Sequence, residues 1–234
     1  MEINADFGRR AAVHTAHQPW IASPVAGVER KMLERIGGEV ARATSVVRYA
    51  PGSRFSPHVH GGGEEFLVLD GVFQDERGDY PAGAYVRNAP RSRHTPGSAT
   101  GCTILVKLWQ FQGDDRLSIH INTSDKPFAA VSNYGGVARQ ALYRDDYEDV
   151  RLERWVGGAR IAAGVPGGIE IFVLGGAFVE SGERFDRQSW LRLPPGQPME
   201  ATVMSEGALV WVKSGHLEGL SVETVRHRLA TAAR

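Results

Sequence analysis

Two histidines and a carboxylate stand close together in the segment from Gly52 to Gly71. His58 and His60 are separated by one residue, and Glu64 follows four residues later. In a β-strand, residues i and i+2 point to the same face and lie about 6 to 7 Å apart, so both imidazoles can face one point. A third histidine, His94, comes thirty residues after Glu64. Imidazole nitrogen and carboxylate oxygen bind zinc, iron, manganese or nickel, so the four residues predict one divalent transition-metal site.

The spacing of these residues is similar to the first cupin motif, which reads Gly, five residues, His-x-His, three or four residues, Glu, six residues, Gly. Gly52, the two paired histidines, Glu64 and Gly71 fit this motif without a gap. The longer segment EEFLVLDGVFQDERGDYPAGAYVRNAPRSRHTPGS resembles the cupin-like domain of the ChrR family, in which the third histidine sits in a shortened turn. The resemblance implies a jelly-roll barrel in which the three histidines and Glu64 hold one divalent metal.

The second half of the chain repeats the first. EIFVLGGAF, residues 170–178, matches EFLVLDGVF, residues 65–73, at an offset of 105. The triplet LER at residues 33–35 recurs at residues 152–154, an offset of 119, which predicts a loss of about fourteen residues from the second copy. An internal repeat of this length indicates two copies of one domain. Together with short strands punctuated by glycines, it predicts an all-β chain with two tandem cupin barrels of the double-stranded β-helix, or jelly-roll, type.

The repeat also tests the metal hypothesis within one sequence. At an offset of 105, the four candidate ligands become Ala163, Val165, Ile169 and Met199. Three aliphatic side chains and a thioether do not hold a hard or borderline divalent ion, so the metal is expected in the first copy alone. The second copy is predicted to be a structural partner, with an apolar pocket as the alternative.

The other acid and imidazole groups receive simpler interpretations. Glu65 is the rival of Glu64, but it recurs as Glu170 in the copy without ligands and is therefore assigned a structural or solvent-facing role. His14 and His17 are expected at the surface, because nothing acidic or sulfur-bearing completes a site near them. His120 has no neighbouring ligand type either and is interpreted as structural.

Composition and turn signals divide the chain into five segments. These are an N-terminal arm (1–25), a metal-binding cupin (26–112), a connector rich in Gly, Asp, Ser and Asn (113–140), a second cupin without metal ligands (141–225) and a tail (226–234), which is expected to be a short helix or a frayed end.

Charge and cysteine content bound the partners and the compartment. Twenty-seven Lys and Arg balance twenty-seven Asp and Glu, so no net field attracts nucleic acid or an anionic membrane. The single cysteine, Cys102, cannot form an internal disulfide, and no apolar run approaches the roughly 18 residues of a membrane span. The expected location is the cytoplasm, the expected partner is a small molecule, and a homodimer is one compatible assembly.

Two functions follow from the site and the resemblance. ChrR proteins are zinc-binding anti-sigma factors, but this chain shows neither their N-terminal sigma-binding domain nor its cysteines, so direct sigma-factor binding is not expected. The first hypothesis is a metal-binding bicupin with a small-molecule sensing or regulatory role. The alternative is a non-haem metal-dependent dioxygenase acting on a small carbonyl or aromatic ketone, since iron(II) with open positions can take dioxygen and a bidentate substrate. Zinc or iron(II) is the expected metal, with manganese or nickel as further candidates, and no catalytic residue is assigned.

Overall fold

The computed structural model of the protein describes residues 1–132 and 135–232. In chain order, the strands of the first half are β1 (Glu2–Ile3), β2 (Ala11–His14), β3 (Ile21–Ala22), β4 (Val28–Gly37), β5 (Ala41–Tyr49), β6 (Ser53–Arg54), β7 (His58–His60), β8 (Glu64–Asp75), β9 (Gly78–Pro81), β10 (Ala84–Asn88), β11 (Ser92–His94), β12 (Gly97–Ser98), β13 (Cys102–Leu108) and β14 (Ile119–Asn122).

The second half continues with the same kind of element. Its strands are β15 (Ala129–Ala130), β16 (Val137–Arg144), β17 (Asp149–Trp155), β18 (Arg160–Ala163), β19 (Ile169–Glu180), β20 (Glu183–Phe185), β21 (Ser189–Leu193) and β22 (Met199–Ser214), and it ends with the helix α1 (Val222–Ala232). Single 3-10 turns lie at Thr15–His17 and Thr123–Asp125. The predicted all-β class is confirmed, and within the described residues the helices are too short to cross a lipid bilayer.

The chain folds into two compact units. Unit 1 contains Met1–Ala5, Pro19–Asp125 and the residues from Val222 onwards, and unit 2 contains Asp6–Gln18 and Lys126–Ser221. The main sheet of unit 1 has the order β1-β4-β5-β13-β8-β10-β14, and β7 and β11 form a separate two-stranded ribbon. The sheet of unit 2 has the order β15-β16-β17-β22-β19-β21-β2. The order of equivalent strands is therefore the same in both units.

The N-terminal segment belongs to two units, where the sequence suggested one arm over residues 1–25. Strand β2 pairs with β21 at the edge of the unit 2 sheet, with Ala11 opposite Arg192. Arg10 donates hydrogen bonds to Glu180, with an Nε to Oε2 distance of 2.9 Å, which holds the segment in place. His14, expected at the surface, is half-buried, and its Nε2 lies 2.7 Å from Glu183 Oε1. His17 is exposed.

The other predicted segment boundaries also differ from those of the two compact units. The predicted connector, residues 113–140, includes β14, which pairs with β10 in unit 1, and β15, which pairs with β16 in unit 2. Residues 226–232 of the predicted tail lie in α1, which already begins at Val222, and residues 233–234 are outside the described residues. Edge pairing, which composition does not report, accounts for the difference at the connector.

The repeat at an offset of 105 corresponds to equivalent strands. β8 and β19 are both 12 residues long, and they begin at Glu64 and Ile169. The predicted loss of fourteen residues is wrong. Tyr49 in β5 lies opposite Cys102, as Trp155 in β17 lies opposite Ala208, so β5 and β17 are equivalent at an offset of 106. The LER triplets lie in β4 and β17, which occupy different places in their sheets, and a three-residue match is too short to reveal this.

Each unit is filled by its own apolar cluster. In unit 1 the cluster includes Phe66, Val68 and Ile104, and in unit 2 it includes Ile171, Phe178 and Leu191. The motif glycine Gly71 has a positive φ of 72°, and a Cβ there would overlap the carbonyl oxygen of Gly101. Gly176 is held in the same way against Gly207, so both copies require glycine where β8 and β19 bend.

Candidate metal centre

Three histidines converge on the two-stranded ribbon of unit 1. His58 lies directly opposite His94 in the β7–β11 register, and His60 follows two residues after His58 on the same face. The ring centroids are 4.7 Å apart for His58 and His60, 5.3 Å for His58 and His94, and 4.8 Å for His60 and His94. One nitrogen from each ring lies within 4.8 Å of the other two. This arrangement could hold a metal ion.

The ring nitrogens that face away from this point are bonded to the protein. His58 Nδ1 lies 2.9 Å from the carbonyl oxygen of Ser56, and His94 Nδ1 lies 3.2 Å from Asp75 Oδ2. Both partners are acceptors, so each Nδ1 is the protonated nitrogen and each Nε2 keeps its lone pair. Nε2 of His94 lies 2.8 Å from Nε2 of His60. Carboxylate and carbonyl partners of this kind orient the imidazoles of metal sites.

Glu64 reaches the same point from the start of β8. Its Oε2 atom lies 3.4 Å from His60 Nε2 and 3.5 Å from His94 Nε2. Asn88 lies opposite Glu64 in the β8–β10 pair and donates a hydrogen bond from Nδ2 to the same oxygen over 3.1 Å. The structure thus brings all four sequence-predicted residues together. That all four bind the metal stays a prediction.

Burial sets the protonation of the cluster. His60, Glu64 and His94 are buried, and His58 is half-buried. Burial, followed by the charge of His58, lowers the pKa of His60 to about 3, and burial is also the main cause that lowers the pKa of His94. The pKa of Glu64 is raised, chiefly by burial. Neutral imidazoles present lone pairs, and a buried carboxylate is stabilised by a nearby cation, so the donor set fits a divalent transition metal.

Glu65, the rival ligand, points to the other face of β8. Its Oε1 atom accepts a hydrogen bond from the Tyr85 hydroxyl over 2.8 Å, and the residue is 1% exposed. Glu170 at the equivalent position accepts a hydrogen bond from Trp190 Nε1 over 3.1 Å. In both units an aromatic side chain donates a hydrogen bond to the buried acid. Glu65 therefore has the structural role predicted for it and not the solvent-facing one.

The equivalent place in unit 2 is apolar. Ala163 lies directly opposite Met199, as His58 lies opposite His94 in unit 1. Met199 and Ile169 belong to the apolar cluster of unit 2, and Ala163 and Val165 pack against that cluster. The four side chains therefore fill the interior of unit 2 with protein atoms.

A cavity of about 300 Å³ lies beside the metal centre within unit 1. His58, His60 and Glu64 form part of its wall, and most of the remaining lining is apolar. Two exposed residues at its rim, Val40 and Val59, are 47% and 61% exposed. A small apolar molecule in this cavity would therefore contact the candidate metal ligands.

Trp109 forms another part of the cavity wall and has a positive φ of 60°. Its indole lies against Gly61 and Gly62, where a Cβ on either glycine would overlap the ring. An unusual backbone conformation in a bulky residue is maintained only when the surrounding contacts favour it. The glycine-rich bend between His60 and Glu64 thus also makes room for a large aromatic wall.

Four residues near the site were not found from the sequence. Asp75 orients His94, Asn88 bonds Glu64, and Trp109 and Arg30 line the cavity. Arg30 comes two residues after Val28 in β4, so the two side chains are on the same face of the strand. This spacing is only a weak signal of the shared face. No local spacing links Asp75 or Asn88 to the histidines. Asn88 is brought to the site by the pairing of β10 with β8, and Asp75 lies at the far end of the 12-residue strand β8.

Comparisons with known proteins identify a similar domain family and similar folds. Residues 8–112 match the family model of the ChrR cupin-like domain. No curated protein gives a significant match. The similar solved structures include a candidate dioxygenase from Nostoc punctiforme, with 14% sequence identity and a TM-score of 0.72 over 92% of this chain and 86% of that one.

Two further solved structures are similar to this chain. The pirin YhhW of Escherichia coli in complex with nickel(II) shares 14% identity and has a TM-score of 0.63 over 88% of this chain and 98% of that one. Oxalate decarboxylase from Bacillus subtilis shares 10% identity and has a TM-score of 0.62 over 88% of this chain and 76% of that one. At these identities the similarity shows the fold, and the predicted arrangement of tandem cupin barrels is confirmed.

Proposed function

We propose that unit 1, which contains most of the residues 8–112 that match the family model of the ChrR cupin-like domain, binds one divalent transition metal through His58, His60, His94 and Glu64 and binds a small organic molecule beside it. One observation carries the proposal. Three imidazoles converge on one point, and two of them, His58 and His60, form part of the wall of a cavity that is large enough for a small ligand.

The residues of the chain have separable tasks in this proposal. The carbonyl of Ser56 and the carboxylate of Asp75 orient His58 and His94, and Asn88 orients Glu64. The apolar wall of the cavity excludes water from a bound molecule and strengthens its electrostatic interactions with the site. Bound zinc would supply Lewis acidity, and bound iron(II) would also supply redox chemistry toward dioxygen.

The first role for such a site is small-molecule sensing or regulation. It is supported by the domain family and by the pairing of one metal-binding unit with a unit whose interior is filled. In this role, a small molecule bound in the cavity is the signal, and a surface of the protein transmits it to a partner. A cytoplasmic location stays a prediction that suits this role.

The second role is that of a non-haem dioxygenase acting on a small carbonyl compound or an aromatic ketone. It is supported by the apolar cavity directly beside the metal ligands and by the fold shared with the candidate dioxygenase over 92% of the chain. Here the cavity holds the substrate against the metal centre, and the three histidines and Glu64 set the properties of the metal.

Elemental analysis of the untagged protein, purified without added metal, tests the metal centre. We expect about one equivalent of one transition metal per chain. The double variant His58→Ala/His60→Ala should contain almost none, whereas His227→Ala, a control on the exposed face of α1, should keep the full equivalent. A full equivalent in the double variant would show that the ligand set is wrong.

The two roles are separated by turnover. Oxygen consumption with a panel of diketones and aromatic ketones, measured on iron-loaded protein, should be dependent on substrate and abolished by His94→Ala if the protein is a dioxygenase. Zinc as the native metal, no turnover, and recovery of a specific protein partner that is released when a ligand enters the cavity would support the sensing role instead.

A further inference from the structure

The cavity in unit 1 contains an arginine that the metal centre does not use. Arg30 lines the same cavity as His58, His60 and Glu64. In the β4–β5 pair, Arg30 lies directly opposite Val47, which packs against the apolar cluster inside unit 1. Residues opposite each other in antiparallel strands share one face of the sheet, so the Arg30 side chain leaves β4 toward the interior.

Arg30 has a buried donor that nothing in the described part of the chain satisfies. Its Nε atom is buried and has no hydrogen-bond partner among those residues. Glu39 also lines the cavity, but it is exposed, and no ion pair joins it to Arg30 within residues 1–132 and 135–232. The guanidinium group stays charged at any pH relevant to proteins, and a buried donor without an acceptor costs free energy. An acceptor in the cavity would remove this cost.

The charges around the cavity favour an anion as that acceptor. Arg35, five residues along β4, is buried, and both its burial and the charge of Arg30 lower the pKa of Arg35. The two guanidinium groups thus repel each other, and of the two Arg30 lines the cavity. A divalent metal held by neutral histidines and a single carboxylate adds a further net positive charge.

The remaining wall of the cavity indicates the chemistry of the rest of the ligand. It is largely aliphatic and aromatic, and it includes Val28, Val47, Tyr49, Phe55, Ile104 and Val106. A volume of about 300 Å³ lies at the small end of the range for ligand sites. A planar carboxylate can accept two parallel hydrogen bonds from one guanidinium group.

We propose that this cavity binds a small monocarboxylate with a compact apolar body, and that Arg30 holds the carboxylate group. The inference rests on the proposed small-molecule role of the metal centre and names the chemical class of its ligand. Arg30 acts as the specificity-determining residue, because an uncharged analogue of the same shape leaves its buried Nε without an anionic partner.

Calorimetric titration of the metal-loaded full chain with benzoate and with hexanoate tests the proposal. We expect saturable binding of at least one of these anions and weaker binding of its uncharged amide. In Arg30→Gln, affinity for the anion should fall roughly 10- to 100-fold, as expected for hydrogen bonds to a charged group. The affinity of Arg30→Lys for the anion should lie between those of wild type and Arg30→Gln, because lysine keeps the charge and loses the two parallel hydrogen bonds of a guanidinium group. The amide should bind wild type and Arg30→Gln alike.

Arg48→Gln is the matched control. Arg48 lies next to Val47 in β5, is exposed, and bonds to Glu29 and the Trp20 ring, so its removal changes net charge equally without touching the cavity. It should change anion affinity less than twofold. Unchanged anion affinity in Arg30→Gln, amides binding as tightly as the anions, or no saturable binding of either anion at millimolar concentration would each overturn the proposal. The comparison of anion and amide on the wild-type protein stands even if Arg30→Gln fails to fold.

Measurement of the metal content distinguishes a failure of the carboxylate site from a failure of the metal centre. Arg30→Gln should keep its full equivalent of metal, and the ratio of anion affinities between wild type and Arg30→Gln should persist after removal of metal with a chelator. Absence of metal from the wild type with a persistent Arg30 effect would refute the metal centre alone. A normal metal content without an Arg30 effect would refute the carboxylate site alone.

Discussion

Asp75 lies 3.2 Å from His94, oxygen Oδ2 to nitrogen Nδ1, although nineteen residues separate them in the sequence. Asp75 is at the end of β8 and His94 is at the end of β11, so the contact joins the main sheet of unit 1 to the histidine ribbon. Tyr80 donates a hydrogen bond from its hydroxyl to Oδ1 of the same carboxylate over 3.2 Å. Tyr80 therefore positions the Asp75 carboxylate through one oxygen, and the other oxygen orients the imidazole of His94.

Asp75→Asn should weaken metal binding by about 10- to 100-fold, the range seen when outer partners of metal-binding histidines are removed. An amide cannot replace the carboxylate as a strong acceptor for the His94 Nδ1–H, so the imidazole loses basicity and orientation. The measurement is a competition titration with a metal-binding dye. Asp70→Asn, an exposed position on the same strand, is the control and should leave affinity unchanged. Equal affinity of wild type and Asp75→Asn would contradict this role.

Substitution of the two adjacent acids on β8 should have two different effects, one on metal content and the other on stability. Glu64→Gln removes the charge beside His60 and His94 and should reduce metal content strongly. Glu65→Gln should keep the metal but lower the free energy of unfolding by about 1–3 kcal/mol, since it weakens a buried charged hydrogen bond with Tyr85. Metal analysis and denaturant midpoints on both variants check this. Loss of metal from Glu65→Gln with retention in Glu64→Gln would reverse the assignment.

Met199→Ala should destabilise unit 2 by about 2–5 kcal/mol without changing metal content, because it opens a hole in a packed apolar interior. Met199 is 1% exposed and lies at the place that His94 occupies in unit 1. Val156→Ala is the matched control at a residue that is 64% exposed, and it should change stability by no more than about 0.5 kcal/mol. A melting temperature of Met199→Ala equal to that of wild type would argue against a filled interior.

Acid stability should depend on Glu153. Burial alone would raise its pKa, but the charge of Arg151 and hydrogen bonds from Arg151 and Trp155 outweigh this and lower it. A carboxyl group with a lowered folded-state pKa stabilises the fold above its unfolded value of about 4.3, and this contribution is lost as pH falls through the folded value. Glu153→Gln should therefore be less stable than wild type at pH 7, with a difference that shrinks below about pH 4.

Denaturant midpoints measured from pH 7 down to pH 3 test this dependence. Glu200→Gln removes an exposed carboxylate from the same unit and should follow the wild-type curve. A constant difference between Glu153→Gln and wild type over the whole pH range would show that the hydrogen bonds and not the charge of Glu153 matter.

The sequence by itself determined the features that depend on short spacing or on self-similarity. The interval between His58 and His60 places both imidazoles on one strand face whatever the rest of the sheet does. The offset of 105 between β8 and β19 identifies two copies of one domain, and the replacement of His94 by Met199 limits the candidate metal site to one of them. Both inferences use only the local geometry of a strand and a comparison of the chain with itself.

The tertiary structure alone decided which distant strands meet. Residues 6–18 belong to unit 2 because β2 pairs with β21, and Asp75 reaches His94 because β8 runs far enough to meet the histidine ribbon. Arg30 faces the cavity because the register of β4 on β5 sets it opposite Val47. Pairing of strands far apart in the chain depends on edges and registers that are settled by burial over the whole sheet, and a change of one residue in register turns every side chain to the other face.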